Sequence, residues 1–531
     1  ILVDRQTGVP IRDADGNLVT GHSPLIIPED ATGTDTVENG EKTRRVDTTV
    51  SVDYNFNASN MSGRTVVAYE WAVTGTIPDT LPDSWEQIAT GTDVPLNIIA
   101  RHMELSDASQ TLYFPGIVTK ASGDIENYAY ADGEVVVKDV AGYTNLRPNS
   151  DYNMTATIHV QHVNEDGEVV DLGTLKDSEG RTITKTVQFK TGKVNNGVGG
   201  VDGEVEVEIT VDGSLLAGKT IVYMEAITRD SLLVAMHMDI ESEDQAIHFP
   251  SLGTSLTDKQ SENRISYAGK TVTIWDTVHY ENAIPGKEVE LYGTLHVKNG
   301  DYKAATATDA TPGDIERMTG ADMTEDSILY VDGKPVTNSV KFIPETPSGD
   351  VDISFTFDAT GLGGYTLVAA EKMYYKGVLI GVHTDMQSKP QTSNVPRIHT
   401  LAVNNLTASH MVNADGIADI TDYVYYENLK EGETYRSYGT VMNQDTGEPV
   451  KDKNGDVVKG YTEFTVHGTD DLFTNTTYLD TGKTNLGYYT QAGADATITD
   501  ATDTDALVAS ASGGKEEVRA RRYMSEDAII A

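Results

Sequence analysis

Three segments of the chain pair a histidine with a glutamine eight residues later, and a threonine follows each glutamine after nine more residues. The histidine–glutamine pairs are His102–Gln110, His237–Gln245 and His383–Gln391, and the threonines are Thr119, Thr254 and Thr400. Histidine accounts for only 12 of 531 residues, so this spacing, kept three times, indicates a repeated unit. A histidine can take the proton of a hydroxyl, and the oxygen can then attack a carbonyl carbon such as that of a carboxamide. These residue types therefore suit acyl transfer.

A glutamate stands upstream of each histidine, at the end of a strand-like segment. These glutamates are Glu70, Glu225 and Glu371, and the related segments before them are 62–67, 217–222 and 363–368. When two carboxyl groups share a dry pocket, their like charges raise one pKa, so that one group stays protonated. A protonated carboxyl group can polarise the carbonyl of a carboxamide. A carboxamide is a poor electrophile, so its reaction with a hydroxyl requires such activation.

The elements that must position these residues are short strands. Segments rich in Val, Thr, Ile and Tyr, largely alternating between apolar and polar residues, cover residues 135–140, 153–160, 205–211, 219–224, 271–280, 351–357 and 366–370. Turn pairs typical of β-hairpins lie between such segments, at 15–16, 166–167, 332–333 and 454–455. No capped helical pattern of about ten residues or more stands out. The sequence predicts an all-β fold of tandem β-sandwiches.

Self-similarity sets the predicted domain boundaries. One element occurs three times with the pattern Tyr-x-Asn, at 143–145, 280–282 and 426–428. The distance from one glutamine to the next gives the period, which is 245 − 110 = 135 and then 391 − 245 = 146 residues. We therefore predict a partial sandwich lacking its first strand at 1–114, whole repeats at 115–250 and 251–396, and a divergent repeat at 397–531.

Composition narrows the classes of function. A formal net charge of −42 predicts that the chain binds neither nucleic acid nor anionic membranes. The chain has no cysteine, which fits an exported protein, and it begins at Ile1 without a signal peptide, as a processed piece of a longer protein would. Residues 13–17 resemble part of a calcium loop but lack the bidentate glutamate, so we expect no metal and no cofactor.

Together, these motifs resemble the VaFE repeats of surface-anchored proteins in Gram-positive bacteria, whose domains carry an internal Thr–Gln ester bond. The name-giving segment matches residues 67–70, 222–225 and 369–371, the closing motif matches 237–245, and the opening motif matches 252–258. The resemblance covers nearly the whole chain. It implies immunoglobulin-like β-sandwiches in an elongated array, a covalent bond between the first and last strands of a domain, and a role as the stalk of an adhesin.

The resemblance also implies roles for individual residues. Thr119 would be bonded to Gln245, and Thr254 to Gln391. The residues that assist the first bond would be His237, Glu225 and Asp139, and those for the second would be His383, Glu371 and Asp276. The two aspartates are assigned from the strand before the Tyr-x-Asn element, although the spacing from threonine to aspartate is 20 residues in one repeat and 22 in the other.

The outer repeats depart from this pattern. The first has Glu70, His102 and Gln110 but no opening strand. Its threonine would therefore lie before Ile1 or come from another chain, and in the second case Gln110 could join subunits end to end as in a pilus or filament. It also carries an extra segment, 71–99, which a ligand-binding adhesin could use for contact. The fourth keeps Thr400 and Asp422, whereas alignment puts alanines in place of its glutamate, histidine and glutamine, at Ala511, Ala520 and Ala528. Either this repeat has no cross-link or its bonding partners lie beyond Ala531, and we expect a repeat without the bond.

An enzyme is the weaker alternative. Spacings typical of hydrolase triads, zinc-binding histidine pairs and phosphate-binding glycine loops do not occur, while a glycosidase with paired carboxylates stays open because Asp and Glu abound. We expect self-processing without turnover, a location outside the cell in association with the surface or wall, and as partners neighbouring repeats, subunits of the same protein or a host ligand.

Overall fold

A computed structural model describes residues 1–466, apart from 28–30, 75–96, 165–166, 299–301, 303–309, 321, 407–408, 413 and 415. The chain divides into two compact units, Ile1–Pro250 and Ser251–Ala531. The described residues are mostly strand, with one short α-helix, which confirms the predicted all-β class of tandem repeats.

Residues 1–114 form a small three-stranded sheet and two hairpins. The strands are β1 (Leu2–Asp4), β2 (Thr34–Glu38), β3 (Glu41–Arg45), β4 (Thr65–Ala68), β5 (Glu70–Thr74), β6 (Asn97–His102) and β7 (Thr111–Tyr113). The sheet has the order β1-β4-β7, while β2–β3 and β5–β6 are hairpins. All four residues of β4 are buried, and its Val66 packs with Leu2, Ile11 and Met61 in one apolar cluster.

Residues 115–250 form a two-layered β-sandwich. The strands are β8 (Gly116–Ser122), β9 (Glu134–Leu146), β10 (Asp151–Val163), β11 (Val169–Thr174), β12 (Thr184–Lys190), β13 (Val201–Asp212), β14 (Lys219–Arg229), β15 (Leu232–His237) and β16 (Ala246–Phe249). One sheet has the order β13-β9-β8. The other has the order β11-β10-β14-β15, with β12 also pairing β10 and β16 also pairing β14.

Burial alternates along the first part of β9, as expected for a strand with one face on a core. Val135, Val137, Asp139 and Ala141 are its successive buried residues, so the period of two places an aspartate among core positions. The two sheets enclose one apolar core, in which Val137 packs with residues such as Tyr223. The Tyr223 hydroxyl donates a buried hydrogen bond of 2.8 Å to the carbonyl oxygen of Val137 and so links the sheets.

Residues 251–396 repeat this sandwich. Its elements are β17 (Ser251–Asp258), β18 (Val272–Glu281), β19 (Val289–Val297), α1 (Pro312–Met318), β20 (Tyr330–Val331), β21 (Lys334–Pro335), β22 (Thr337–Phe342), β23 (Gly349–Phe357), β24 (Thr366–Tyr375), β25 (Val378–His383) and β26 (Thr392–Asn394). The sheets are β17-β18-β23 and β22-β19-β24-β25, with β26 also pairing β24. Helix α1 is short, and Thr311 and Asp314 cap its N-terminus reciprocally.

The described part of the fourth repeat consists of two hairpin-like pairs. They are β27 (Arg397–Asn404) with β28 (Ile420–Glu427), and β29 (Thr434–Thr440) with β30 (Lys459–Thr465). Tyr426, Leu429 and Phe464 belong to their small apolar cluster. Ala511, Ala520 and Ala528, on which the sequence prediction for this repeat depends, lie outside the described residues.

Candidate functional site

In the second repeat, strand pairing brings together residues that are far apart in sequence. Glu225 on β14 lies opposite His237 on β15. In the other sheet, Thr119 on β8 lies opposite Ala141 of β9, and Ala121 lies opposite Asp139. Since β8 is antiparallel to β9 and both residues at 119 and 121 are buried, Thr119 and Asp139 are near neighbours on the inner face.

Gln245 reaches this pocket from the chain segment that follows β15. It ends a short 3-10 turn, Glu243–Gln245, and is fully buried. Strand β16 starts at the next residue and pairs with β14, where Ala246 lies opposite Val222. Strand β8, which carries Thr119, packs against the same turn. The acidic residues between His237 and Gln245 therefore form the exposed part of a loop whose last residue turns inward.

The carboxyl groups of the second repeat lie in a dry pocket and interact. Asp139 and Glu225 are both fully buried. Burial, reinforced by the negative charge of Asp139, raises the pKa of Glu225 to about 9. Burial also raises the pKa of Asp139 to about 6. One proton is therefore held on the pair at neutral pH, mainly by Glu225.

Several buried atoms in this pocket lack a hydrogen-bond partner. Oδ1 and Oδ2 of Asp139 and Oε1 of Glu225 belong to the carboxyl pair, and the other three are Oγ1 of Thr119, Oε1 of Gln245 and Nδ1 of His237. The amide of Gln245 is nevertheless oriented, because its Nε2 donates to Oε2 of Glu225. Buried polar atoms without partners are rare in folded proteins and call for an explanation. Here the last three of these atoms are a nucleophilic oxygen, a carbonyl oxygen and a basic nitrogen, which are the atoms that acyl transfer between Thr119 and Gln245 would use.

The third repeat places the same residue types at the same register. Glu371 lies opposite His383, Thr254 opposite Val278, and Leu256 opposite Asp276. The amide nitrogen of Leu256 donates a 2.8 Å hydrogen bond to the carbonyl oxygen of Pro390, which holds the threonine strand beside the residue that precedes Gln391.

Gln391 is fully buried and its amide has two acceptors. Its Nε2 donates to Oε2 of Glu371 at 2.7 Å and to the backbone oxygen of His383 at 3.3 Å. Its carbonyl Oε1 has no hydrogen-bond partner, and neither does Nδ1 of His383. The orientation of the carboxamide and its unpartnered carbonyl oxygen therefore match those of the second repeat.

The electrostatics of the third repeat follow the same rule. Burial, with the negative charge of Asp276, raises the pKa of Glu371 well above its ordinary value. Burial raises the pKa of Asp276 as well. Burial lowers the pKa of His383, which keeps this imidazole neutral and able to accept a proton.

In the third repeat a further segment, which the sequence did not predict, covers the outer face of the sheet, opposite to the face that carries Glu371. The covering segment, residues 310–331 apart from 321, contains α1. His296 holds it through Nε2, which donates to the carbonyl oxygen of Met318 at 2.9 Å, and Lys372 donates from Nζ to the carbonyl oxygen of Glu316 at 2.7 Å. Met323 from this segment packs with Met386, which lies in the loop between His383 and Gln391.

Smaller polar residues hold the corresponding loop in the second repeat. Gln161 donates from Nε2 to the carbonyl oxygen of Ile240 at 2.6 Å, and Asn127 donates from Nδ2 to the carbonyl oxygen of Ala246 at 2.7 Å. Neither residue was singled out in the sequence. Their positions in β10 and in the turn after β8 become informative only when the strands are paired.

The first repeat contains one half of the site. Glu70 lies opposite His102 across β5 and β6, in the register of the other two repeats. Gln110 precedes β7, but it is only half-buried, and His102 is exposed and contacts Asp107 at 2.8 Å. Burial raises the pKa of Glu70. Among the described residues of this repeat no strand takes the place of β8, so threonine and aspartate are not brought to this half-site.

The fourth repeat contains the other half. Thr400 lies opposite Val424 and Ala402 lies opposite Asp422, which repeats the register of threonine and aspartate in the second and third repeats. Burial raises the pKa of Asp422. The central part of the extra segment in the first repeat, residues 75–96, and the whole of 467–531 lie outside the described residues.

Two other sequence expectations concern metal and membrane. Residues 13–17 form a turn in which Oδ1 of Asp13 accepts from the backbone nitrogens of Asp15 and Asn17 at 3.0 and 2.8 Å. Within the described ranges, no cluster of three or more His, Asp or Glu residues could hold a metal ion. No helix there has the length and apolar character needed to cross a membrane.

Comparison with known families gives a match along most of the chain. The model of the T-Q ester bond containing domain matches residues 14–114, 115–249, 250–395 and 396–510. No curated protein matches the chain.

Among solved structures, similarity is found to a bacterial adhesin from Mobiluncus mulieris containing intramolecular disulfide, isopeptide and ester bond cross-links. That structure is 13% identical, with a TM-score of 0.22, over 58% of this chain and 91% of the adhesin. A second crystal form of the adhesin gives 12% identity and a TM-score of 0.20, over 58% of this chain and 93% of the adhesin. Red sea bream transglutaminase is 10% identical, with a TM-score of 0.17, over 54% of this chain and 32% of the transglutaminase.

Proposed function

Because the chain belongs to the T-Q ester bond containing domain family, we propose that its second and third repeats each form an internal ester bond without a cofactor. One bond joins Thr119 to Gln245, and the other joins Thr254 to Gln391. The reaction happens once in each repeat and the protein is not a turnover enzyme. The observation that carries this proposal is the recurrence, in two repeats, of a buried glutamine with an unpartnered carbonyl oxygen beside a buried carboxyl pair and a histidine.

The chemistry proceeds by acyl transfer from nitrogen to oxygen. His237 takes the hydroxyl proton of Thr119, and Oγ1 attacks Cδ of Gln245. The proton held by Glu225 and Asp139 moves toward Oε1 and stabilises the negative charge that develops there. The C–N bond then breaks, the proton on His237 leaves with the nitrogen as ammonia, and the carbonyl forms again as its proton returns to the carboxyl pair. A hydroxyl and a carboxamide become an ester and ammonia.

The fold supplies most of what this reaction needs. Hydroxyl and carboxamide do not react in water, but holding them in contact can contribute roughly 7–11 kcal/mol toward the barrier. The burial of Thr119, Gln245 and Glu225 excludes bulk water from the pocket. A dry pocket also protects the product, since hydrolysis of the ester requires water at the carbonyl carbon.

The position of each bond suits a protein that carries tension. Thr119 lies in the first strand of its repeat, and Gln245 immediately precedes the last strand, β16. A force entering at β8 would pass to β16 through the ester and would not load the hydrogen bonds of the sheets. We propose that the chain is a stalk segment of an adhesin on the surface or wall of a Gram-positive cell. Its proposed partners are neighbouring repeats or subunits and a host ligand, with no nucleic acid or membrane contact.

Intact mass of the denatured protein tests the bonds directly. Each ester lowers the mass by one ammonia, so we expect a deficit of two from these repeats. Gln245→Ala and Thr119→Val variants should each lose one unit of that deficit, relative to their own sequences. Gln188→Ala, which removes an exposed glutamine from β12, is the matched control and should keep both. A wild-type mass without any deficit would refute the proposal.

The buried carboxyl pair predicts a pH-dependent stability once the bond is removed. In a Thr119→Val variant, Glu225 keeps its raised pKa of about 9 in the folded state, whereas the unfolded value is 4.5. Between these pH values the folded state binds more protons than the unfolded state, so the free energy of unfolding falls as pH rises. The stabilising contribution is complete below about pH 4.5 and is lost through about pH 9.

Urea unfolding of the Thr119→Val variant at about pH 5 and about pH 8 measures this dependence. The midpoint should be lower at the higher pH. Glu225→Gln added to Thr119→Val should remove most of the difference, leaving the smaller contribution of Asp139. A midpoint that rises with pH would contradict the protonated state assigned to the pair.

A further inference from the structure

The Tyr-x-Asn element, found three times in the sequence, has no part in the ester site. Its asparagines are Asn145, Asn282 and Asn428, and all three have a positive φ, of 63°, 61° and 55°. Asparagine tolerates this left-handed conformation better than most residues do. Backbone conformation alone would equally allow glycine, so the amide side chain requires a separate explanation.

At the boundary between the first and second repeats, the side chain of Asn145 is buried in the first repeat's surface. Its Nδ2 donates to the carbonyl oxygen of Arg64 at 2.6 Å, and its Oδ1 accepts from the Thr65 hydroxyl at 2.8 Å. Its own backbone nitrogen donates to Oδ1 of Asp202 at 2.8 Å, which fixes it to the second repeat. Asn145 is only 1% exposed. Both polar atoms of the Asn145 side chain thus bind the first repeat, while its backbone nitrogen binds the second.

At the boundary between the third and fourth repeats, the side-chain nitrogen of an equivalent asparagine also binds the preceding repeat. Nδ2 of Asn428 donates to the carbonyl oxygen of Tyr365 at 2.9 Å and to that of Val395 at 3.4 Å. Within the fourth repeat, the neighbouring Glu427 accepts two hydrogen bonds from the guanidinium of Arg397, at 2.6 and 2.7 Å. Asn428 itself is almost completely buried.

The acceptors at the two boundaries are equivalent. Arg64 immediately precedes Thr65, the first residue of β4, and Tyr365 immediately precedes Thr366, the first residue of β24. Both belong to the related segments 62–67 and 363–368 that lead to a site glutamate. In both pairs of repeats, therefore, the asparagine side-chain nitrogen donates to the equivalent backbone oxygen of the preceding repeat. The two residues are 81 apart in sequence in one pair and 63 apart in the other.

We propose that the asparagine of the Tyr-x-Asn element is a docking residue, which fixes the orientation of the second repeat relative to the first and of the fourth relative to the third. Its binding surface is the turn that immediately precedes β4 in the first repeat and β24 in the third. Domains joined only by a short connection move relative to each other by default, so a buried, fully bonded side chain at the boundary restricts that motion. This proposal rests on the proposed stalk function for its purpose, but the docking contact does not depend on the ester bonds.

The test measures motion between the first and second repeats. The chain has no cysteine, so two introduced cysteines give unique attachment sites for spin labels. Leu112→Cys lies in the first repeat and Lys185→Cys in the second, and both positions are exposed. Pulsed electron paramagnetic resonance then gives the distribution of distances between them. In the otherwise unaltered chain we expect a narrow distribution. Asn145→Gly keeps the positive φ but removes the amide, and we expect a roughly twofold or greater increase in width.

A matched control separates the side chain from the backbone. Asn149 also has a positive φ, of 50°, and its side chain is exposed, so Asn149→Gly should leave the width unchanged. Thr65→Val, which removes one of the two side-chain bonds, should give an intermediate width. Equal widths for Asn145→Gly and the unaltered chain, or a broad distribution in the unaltered chain, would overturn the proposal.

Intact mass of the same samples keeps the two proposals apart. If the ammonia deficit is missing while Asn145→Gly still broadens the distribution, the ester proposal fails and the docking proposal stands. If the ammonia deficit is present and Asn145→Gly does not broaden the distance distribution, the docking proposal fails and the ester proposal stands.

Discussion

A Glu225→Gln variant is expected to form the ester of its second repeat about 10²–10⁴-fold more slowly than the unaltered chain. The reason is the proton that burial and the charge of Asp139 hold on this carboxyl group, whose pKa is raised to about 9. A carboxamide at the same position cannot transfer a proton to Oε1 of Gln245. Freshly purified protein, sampled over time by intact mass, should show one missing ammonia at once and the second slowly or not at all.

The third repeat serves as an internal reference in that experiment, because its own carboxyl pair is unaltered. Glu204→Gln, which changes an exposed glutamate on β13, is the matched control and should leave both bonds forming at the normal rate. Asp139→Asn should also slow the reaction, since the pair holds its proton jointly. Rapid loss of both ammonia molecules from Glu225→Gln would show that the carboxyl proton is not used, and the mechanism would need another electrophilic catalyst.

The rate of ester formation should fall as pH rises, as the stability of the Thr119→Val variant should. Only the protonated form of the pair can assist the carbonyl, so the rate is expected to fall as pH rises through the pKa of Glu225. A raised pKa of about 9 places this loss above neutral pH, where a carboxyl group of ordinary pKa would already have been ionised for several pH units. The mechanism therefore works near neutral pH because the pocket is dry.

Much of the site follows from sequence spacing, because the repeat keeps strand pairings and loop lengths together. Glu225 and His237 lie opposite each other, as do Glu371 and His383, at the ends of hairpins with equal lengths. Asp139 was harder to place, since its distance from Thr119 differs by two residues from that of the third repeat. The register resolves this difference: in both repeats the residue two after threonine lies opposite the aspartate. The third repeat has its two additional residues in the connection between β17 and β18, so the pairing of these strands is unchanged.

Other features depend on contacts that no local pattern reveals. The strand segments predicted at 135–140 and 153–160 belong to strands of 13 residues each, because pairing with two neighbours extends them beyond their apolar cores. The covering segment of the third repeat contains a helix of only seven residues, too short for a periodic signal. Its position is set by the buried His296, whose pKa burial lowers to about 4, so that the ring stays neutral.

The docking asparagine lies between these two cases. The sequence reveals a Tyr-x-Asn element repeated with its domain, but nothing in the motif names a partner. Asn145 meets Arg64 across 81 residues, and the bond forms only because β9 ends at the boundary where β4 of the preceding repeat begins. A repeated motif is thus visible before the structure, while its function requires the fold.

Removing the hydroxyl of Thr119 should produce the largest change in stability. An ester between Thr119 and Gln245 closes a loop of 245 − 119 = 126 residues, and by analogy with disulfides its loss should lower the free energy of unfolding by about 5 kcal/mol. Thr119→Val keeps the shape of the side chain and removes the nucleophile, whereas Thr119→Ser keeps the hydroxyl. We therefore expect Thr119→Ser to retain the bond and Thr119→Val to lose it, although each replacement alters only a few atoms.

Single-molecule stretching gives the sharpest readout, because a covalent link changes the length that a repeat can release. With the ester intact, the 126 residues between the linked positions cannot extend at any force that leaves covalent bonds unbroken. In Thr119→Val they become available, and at about 3.4 Å per residue the second repeat should release about 400 Å on unfolding. Gln245→Ala should behave in the same way, since removing either partner removes the same bond. If Thr119→Ser and Thr119→Val release equal lengths, Thr119 and Gln245 are not covalently bonded, and the second repeat carries force only through its packing and hydrogen bonds.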